Sequence, residues 1–393
     1  MSGSDSSSIQ GRTSGAKRHF VLAAGGTGGH MIPAHALAAE LGRRGHFVSL
    51  ITDARGATIP GLFEGVDSHV LPAGRLGGGP LGWVRAGRAI LDGRARAKAL
   101  YRQHKPAGVI GFGGYPALPA LLAALSMKVP TAIHEQNAVL GRVNRLMAPW
   151  VKVIATGYPQ VERLPANARD KAAMVGNPVR AEVLALRDQP FPPLTQEGVF
   201  RLLVTGGSQG ASILSEIVPD GLAMLPPHFK ARLQVTQQCR PEDIDEVRQR
   251  YARLGIPADC ATYLPDLPDR LGWSHLFIGR AGASTIAELT AAGRPAILIP
   301  LPSATDDHQT ANARAMAKGG GARMIAQAKF TAVELAKQMQ KMALEPGALE
   351  NAANRAKAAG LPNATTDLAD LVEGLGGVKR GAAPAAAREK VLA

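Results

Sequence analysis

FIGRAGASTIAELTAAGRPAILIP, residues 277–300, is the stretch whose reading decides the fold. The apolar run that ends at Gly279 predicts a short strand. Arg280, Ala281 and Gly282 predict a tight turn, and a helix starts at Ala283 or Ser284 and is closed by Gly293 and Pro295. Residues 296–300 predict the next buried strand. Strand, small-residue turn, helix, strand is the local grammar of an α/β sheet. The turn leaves backbone N–H groups unpaired at a helix N-terminus, a geometry that holds a phosphate without a lysine. Glu288 lies four residues after Ser284 on the same helix face. A carboxylate one turn below a diphosphate is placed to accept hydrogen bonds from two ribose hydroxyls. The alternative is a plain βα turn, with Gly282 serving the backbone and Glu288 solvated. The polar loop 306–309 follows the next strand.

Working outward, the same grammar recurs. Residues 19–24 predict a strand, GGTGGH (25–30) a glycine-rich turn, and a helix runs on through Arg43 with Pro33 in its first turn. Residues 46–52 predict the second strand. Met31 breaks the GxGxxG spacing of a dinucleotide fingerprint. Thr27 and His30 bring a hydroxyl and an imidazole to the carboxyl edge of the sheet, where such folds bind ligands, although His30 could instead cap the helix. Further strands are predicted at 109–111, 131–134 and 151–156. GGYP (113–116) and the helix 117–126 lie between the first two, and Glu135, Gln136 and Asn137 follow the second.

Residues 176–180 read as a linker, and Pro190, Pro192 and Pro193 mark a break. The pattern then restarts with a strand at 200–205, GGSQGA (206–211) and a helix. A strand follows at 232–235, residues 259–264 lead to the strand that opens the 277–300 stretch, and helix follows from Phe330 with an amphipathic helix from Asn363. Two such units predict an α/β protein of two Rossmann-like domains facing across a cleft. The first spans 18–185 and is joined by the helix 363–376; the second spans 186–362. The Ser/Gly-rich residues 1–17 and the Ala-rich residues 377–393 are expected to be disordered tails.

At 393 residues the chain has room for two domains. With 4% aromatic residues, its core must rest on Ala, Val, Leu and Ile. No apolar run reaches the roughly 18 residues that span a bilayer, and no apolar signal core opens the chain, so a cytoplasmic protein is expected. Cys239 and Cys260 are too few for a zinc site or a disulfide framework. The net charge of +14 asks for an anionic partner: nucleic acid, a membrane face or a small substrate. No helix-turn-helix, zinc finger or RNA-binding aromatic pattern is present, which argues against nucleic acid.

Residues 70–105 differ in character. Leu76, Leu81, Trp83 and Val84 lie in a Gly-rich apolar stretch, and a helix bearing Arg85, Arg88, Arg94, Arg96, Lys98, Arg102 and Lys105 follows. Apolar residues beside a cationic helix point to a surface that rests on anionic lipid; the alternative is a solvated basic helix beside a loop.

Seven motifs in register now converge: GGTGGH (25–30), GFGGYPALPA (111–120), HEQNAVLGRVNRLMA (134–148), GNPVR (176–180), GGSQGA (206–211), RAGASTIAE (280–288) and DDHQTANA (306–313). Together the chain resembles the MurG family of lipid I N-acetylglucosaminyltransferases. The resemblance implies a GT-B glycosyltransferase fold with the last helix packed back on the first domain. It implies inverting transfer of GlcNAc from UDP-GlcNAc to the 4-hydroxyl of the MurNAc of undecaprenyl-linked lipid I. The product is lipid II, so the reaction serves peptidoglycan synthesis, cell shape and cell division. It further implies a peripheral protein at the cytoplasmic face of the inner membrane, with cell-wall synthesis proteins as possible partners.

The family's donor contacts fall on Thr27, Gly28 and Gly29 in the first loop, on Asn137 and Arg180 near the cleft, and on Ser208 in the second glycine loop. Leu264 would flank the uracil. Ala283, Ser284, Thr285, Ile286, Ala287 and Glu288 would hold diphosphate and ribose, and Gln309 would reach the sugar. His308 stands where some members carry a second glutamine and is assigned no role. His30 is the preferred base, since an imidazole titrates near working pH, with Glu135 the alternative. The helix N-terminus at 283–285 and Arg180 would stabilise the departing UDP. No Asp-x-Asp motif stands near the donor motifs, so neither a required metal nor another cofactor is implied. Two other readings stay open. One is a different GT-B enzyme, such as a glycolipid glucosyltransferase or a hydrolysing UDP-GlcNAc epimerase. The other is a non-catalytic nucleotide-sugar-binding membrane scaffold.

Overall fold

In the computed structural model the chain is described from Lys17 to Val378, apart from Thr27, Pro60, Ala73, residues 75–78, Gln196, Ser208, Gln209 and Pro346. Residues 1–16 and 379–393 of the expected tails, and three expected site residues, Thr27, Leu76 and Ser208, lie outside the described residues.

Two parallel sheets carry the fold. The first contains β1 (His19–Ala23), β2 (Phe47–Thr52), β3 (Asp67–Val70), β4 (Gly108–Gly111), β5 (Thr131–Glu135), β6 (Val153–Thr156) and β7 (Ala172–Met174), in the order β3-β2-β1-β4-β5-β6-β7. The second contains β8 (Phe200–Thr205), β9 (Leu233–Gln238), β10 (Ala258–Ala261), β11 (Leu276–Gly279), β12 (Ala296–Leu298) and β13 (Ala322–Met324), in the order β10-β9-β8-β11-β12-β13. In each sheet the winding reverses beside the first strand, between β1 and β4 and between β8 and β11. Those are the switch points where open α/β sheets bind ligands. Register sharpens the point. Ala23 pairs with Gly111, so the loops after β1 and β4 emerge side by side. Thr205 pairs with Gly279, so the second glycine loop emerges beside the Arg280 turn.

The strands are apolar on both faces because helices cover both. Alternation along β1 sends Val21 and Ala23 to a core shared with Tyr101, Leu121 and Val109. Phe20 and Leu22 go to the opposite core, with Leu37, Leu41 and Leu50. The C-terminal helix Ala364–Leu375 enters that same core through Leu368, Ala369 and Val372. Full burial of a Leu or Val contributes roughly 1.5–3 kcal/mol, and Arg44 adds ion pairs to Asp370 and Glu373 at 2.5 and 2.8 Å. In the second sheet, Leu202 and Val204 face Leu214, Val218 and Leu335, while Leu203 faces Ile286, Leu289 and Met316.

Several boundaries differ from the sequence expectation. The helix after β1 starts at Gly28, inside the glycine motif, so Pro33 sits in its second turn. Proline has no N–H to give, and the Gly29 carbonyl four residues back is therefore released from the helix ladder. The basic helix runs over Gly79–His104, so Leu81, Trp83 and Val84 belong to the helix itself and not to a loop before it. Val179, Val183 and Leu186 pack in the core of the second sheet, so packing passes to the second domain ahead of the 185/186 division. Strands β3, β7 and β13 had no counterpart in the sequence reading; each is an edge strand of three or four residues.

Candidate active site

A cleft of about 1900 Å³ opens between the two sheets and is lined from both domains. Its first-domain wall is built on the loops after β1, β4 and β5. Gly25 must be glycine, because a Cβ there would stand 2.6 Å from Pro116. The Gly26 amide donates to Asp53 Oδ1 at 2.9 Å, and the Gly56 amide donates to the same oxygen at 3.0 Å. Burial opposes ionisation of Asp53, but these two amides and Arg55 outweigh it and hold the carboxyl below its usual range. His30 stands in the first turn of helix Gly28–Arg43, with its ring against the bare backbone of Gly113 and Gly114. Its Nδ1 lies 3.1 Å from Gln136 Oε1.

The second-domain wall is the turn after β11. Helix Ala283–Ala292 starts after Gly282 with no side-chain cap. The Ile286 amide already donates to the Gly282 carbonyl, so the amides of Ala283, Ser284 and Thr285 are those left without a helical acceptor. Gly28, Gly29, Ala283, Ser284, Thr285 and Glu288 all line the cleft. The Ser284 hydroxyl donates across it to the Gly29 carbonyl at 3.4 Å, the oxygen that Pro33 left unclaimed. Two helix N-termini, one from each domain, thus face one space, which favours an anion between them.

Several of the expected site residues also hold partners within the protein. Glu135, the alternative base, lines the cleft. It is buried at the end of β5, and both carboxylate oxygens are occupied. Oε1 accepts from the amide and side chain of Asn137 at 3.0 and 3.1 Å; Oε2 accepts from the Gly141 amide at 2.8 Å and Asn144 Nδ2 at 2.9 Å. Asn137 lines the cleft, but its Oδ1 accepts from Asn312 Nδ2 at 3.0 Å, so it also ties the domains together. Arg180 Nε donates to Glu288 Oε1 at 2.8 Å. Burial, first, raises the Glu288 carboxyl above its usual range, with Arg180 pulling the other way. Ile286 and Ala287 do not line the cleft: Ile286 is part of the second core and Ala287 packs against it. Leu264 both lines the cleft and packs in that core. Gln309 lines the cleft, yet its Oε1 accepts from the amides of Ala281 and Leu301 at 3.2 and 3.0 Å, so its NH2 is what it can present to a ligand. His308 Nδ1 donates to the Thr305 carbonyl at 2.7 Å and closes a local turn.

Residues the sequence reading passed over complete the site. Asn312 is fully buried and also accepts from the Ala138 amide at 2.8 Å, so the DDHQTANA motif locks onto the loop after β5. Asp306 bridges Arg145 at 2.9 Å and Arg163, both from the first domain. It adopts φ 56°, a left-handed conformation that Asp tolerates better than most residues. Arg280 lines the cleft and donates to the carbonyls of Ile299 and Pro300 at 3.2 and 3.3 Å. The only hint of these in the sequence was the polar character of the motifs. One group of metal-ligating side chains gathers among the described residues, Asp67, His69 and His104, with ligand atoms within 4.8 Å of one another. It stands where β3 begins and helix Gly79–His104 ends, at the amino edge of the sheet and so opposite the cleft.

Two Rossmann-like domains with a cleft at facing switch points define a GT-B fold. Residues 20–156 match the glycosyltransferase family 28 N-terminal domain, and residues 201–370 match the glycosyltransferase family 28 C-terminal domain. The chain belongs to glycosyltransferase family 28. It is 64% identical over 92% of its length to the UDP-N-acetylglucosamine–N-acetylmuramyl-(pentapeptide) pyrophosphoryl-undecaprenol N-acetylglucosamine transferase of Zymomonas mobilis, covering 93% of that protein. It is 63% identical over 92% of its length to the protein of the same name from Erythrobacter litoralis, covering 91% of it. Among solved structures it is similar to Acinetobacter baumannii MurG, with a TM-score of 0.71, 29% identity, and coverage of 91% of this chain and 99% of that one.

Proposed function

We propose that this chain transfers N-acetylglucosamine from UDP-N-acetylglucosamine to the N-acetylmuramyl 4-hydroxyl of lipid I, with inversion, and so makes lipid II for peptidoglycan. The observation that carries the reading is the opposition of His30 on the first domain to the uncapped N-terminus of helix Ala283–Ala292 on the second. The diphosphate of the donor would lie on the free amides of residues 283–285, with Glu288 and Arg180 at its ribose. Negative charge grows on UDP as the glycosidic bond breaks, and fixed N–H dipoles in the cleft favour that charge without reorganising. His30 Nε2 takes the acceptor proton as the oxygen attacks C1 from the face opposite UDP. Glu135 is not the base in this reading, because four donors already hold its two oxygens. Incubation with radiolabelled UDP-GlcNAc and a lipid I analogue tests the assignment. Label must move into the lipid fraction; label released as free sugar, or retained entirely as UDP-GlcNAc, removes it.

The first domain also docks on the cytoplasmic leaflet in this account. No helix among the described residues is long and apolar enough to cross a membrane, and a polyprenyl-linked acceptor presents its sugar only at the bilayer surface. Support comes from helix Gly79–His104, where Leu81 is 79% exposed and Trp83 59%, with Val84 and Leu91 exposed beside them. Arg85 and Arg88 flank these residues and are exposed, whereas Arg94 is half-buried with its Nε shut off from solvent. An apolar wedge with exposed cations suits an anionic leaflet.

A further inference from the structure

The His30 imidazole ends a chain of hydrogen bonds that runs back into the first domain. Its Nδ1 faces Gln136 Oε1 at 3.1 Å. Gln136 Nε2 lies 3.0 Å from His134 Nδ1 and 3.1 Å from the His134 carbonyl oxygen. His134 Nε2 lies 2.9 Å from the Gly176 carbonyl oxygen. Gln136 and His134 are both buried, so water does not compete for these bonds.

Two backbone carbonyls set the direction of every proton in this chain, because a carbonyl only accepts. The Gly176 oxygen requires a proton on His134 Nε2. Burial, the largest influence on His134, lowers it to about 4, so the ring is neutral at working pH and its Nδ1 is an acceptor. His134 Nδ1 therefore needs a donor, which the Gln136 NH2 supplies, and the same NH2 shares the His134 carbonyl with Asn144 Nδ2, which donates to it at 3.1 Å. Turning the amide over would set Gln136 Oε1 against the His134 carbonyl, oxygen to oxygen, in a dry site. Gln136 Oε1 must then face His30, and an amide oxygen accepts only. His30 Nδ1 carries the proton. A neutral imidazole has one N–H, so Nε2 is left as a bare lone pair.

We propose that Gln136 is a positioning residue that holds His30 in the tautomer protonated on Nδ1, with Nε2 free to accept the proton of the acceptor hydroxyl. The role rests on the reading of His30 as the base. Ring orientation is fixed as well as tautomer. A Cβ at Gly113 would stand 3.3 Å from His30 Cε1 and one at Gly114 3.5 Å from Cδ2, so glycine backbone walls both edges of the imidazole. Gln136 is anchored in turn, since its carbonyl accepts from Asn177 Nδ2 at 2.8 Å. Unrestrained neutral histidine favours the opposite tautomer, with the proton on Nε2, and in that form its lone pair is on Nδ1, turned away from the cleft; a triad histidine held in the wrong tautomer loses most of its rate.

The test is 15N NMR of the full-length protein labelled at histidine, at neutral pH, with the His30 signals identified by their loss in His30→Gln. The wild-type protein should show His30 protonated at Nδ1 and bare at Nε2. Gln136→Met should move His30 toward the Nε2-protonated form and lower kcat about 10-fold or more, with the donor KM unchanged within about 2-fold. An Nε2-protonated His30 in the wild type overturns the proposal, as does a Gln136→Met enzyme with tautomer and kcat both intact. The wild-type spectrum decides even where Gln136→Met fails to fold. Full activity in His30→Gln alongside an Nδ1-protonated wild-type ring would remove His30 as base and leave the tautomer lock standing.

Discussion

Arg180 and Glu288 are joined Nε to Oε1 at 2.8 Å, an ion pair between the segment entering the second domain and the helix whose N-terminus lines the cleft. The carboxyl is almost wholly buried, so its second oxygen is the group it can turn to a ribose. Glu288→Ala should raise the donor KM by about 10- to 100-fold, the effect of losing a charged acceptor worth roughly 1.5–3 kcal/mol, with a smaller change in kcat. Steady-state kinetics with UDP-GlcNAc varied is the check. An unchanged donor KM in a folded variant takes Glu288 out of the site.

His30→Ala should lower kcat by about 100-fold or more while the donor still binds, as loss of a general base requires. Donor binding followed by calorimetry, beside kcat, separates the two effects. A variant that keeps kcat leaves His30 as a helix-end residue only.

Glu135→Gln should cost stability and spare the chemistry. The substitution turns one acceptor into a donor facing an N–H group, so a buried clash of donors replaces a hydrogen bond, at about 1–3 kcal/mol. Denaturant unfolding should show that loss, while kcat of the folded fraction stays within a few-fold of wild type. A kcat collapse with unchanged stability would return Glu135 to the reaction.

Much of this site was legible in the sequence, and the reason is local. The 277–300 stretch gave its strand, turn and helix because small residues mark a tight βα turn and the apolar runs are short and bounded. The roles of Glu135, Gln136 and Asn312 were not legible, because each depends on a partner brought in by the fold: Asn312 meets Ala138 across 174 positions and Gln136 meets His30 across 106. Strands β7 and β13 were missed because three residues at a sheet edge carry no periodicity of their own. The released Gly29 carbonyl follows from Pro33, but only once the helix start at Gly28 is known.

Two buried histidines set a pH limit on stability. Burial, first, lowers both His134 and His275 to about 4 from an unfolded value near 6.5. Between those values the unfolded chain binds more protons than the native one, so stability falls as pH drops from 6.5 toward 4 and is whole above 6.5. Each histidine adds up to about 1.4 kcal/mol per pH unit in that window. Unfolding free energy measured from pH 7 to pH 4 should show the decline, and His275→Asn should flatten it by about one proton. An unchanged slope in that variant would mean His275 titrates normally.

Docking should depend on both parts of the surface patch. Leu81→Glu with Trp83→Glu, and separately Arg85→Glu with Arg88→Glu, should each release the protein from anionic vesicles in co-sedimentation, and salt should weaken wild-type binding. Activity on a short-chain, water-soluble acceptor should survive both pairs. Equal binding to neutral and anionic vesicles, or no loss in either double variant, contradicts the docking face.

The central claim is direct, inverting transfer between two substrates held across one cleft. The measurement that meets it head on is NMR of the reaction of UDP-GlcNAc, 13C-labelled at C1, with a lipid I analogue, reading the anomeric coupling of the product. The account predicts a single β-linked disaccharide on the lipid, formed at the rate UDP appears. An α-linked product, or labelled free sugar appearing in its place, would contradict it.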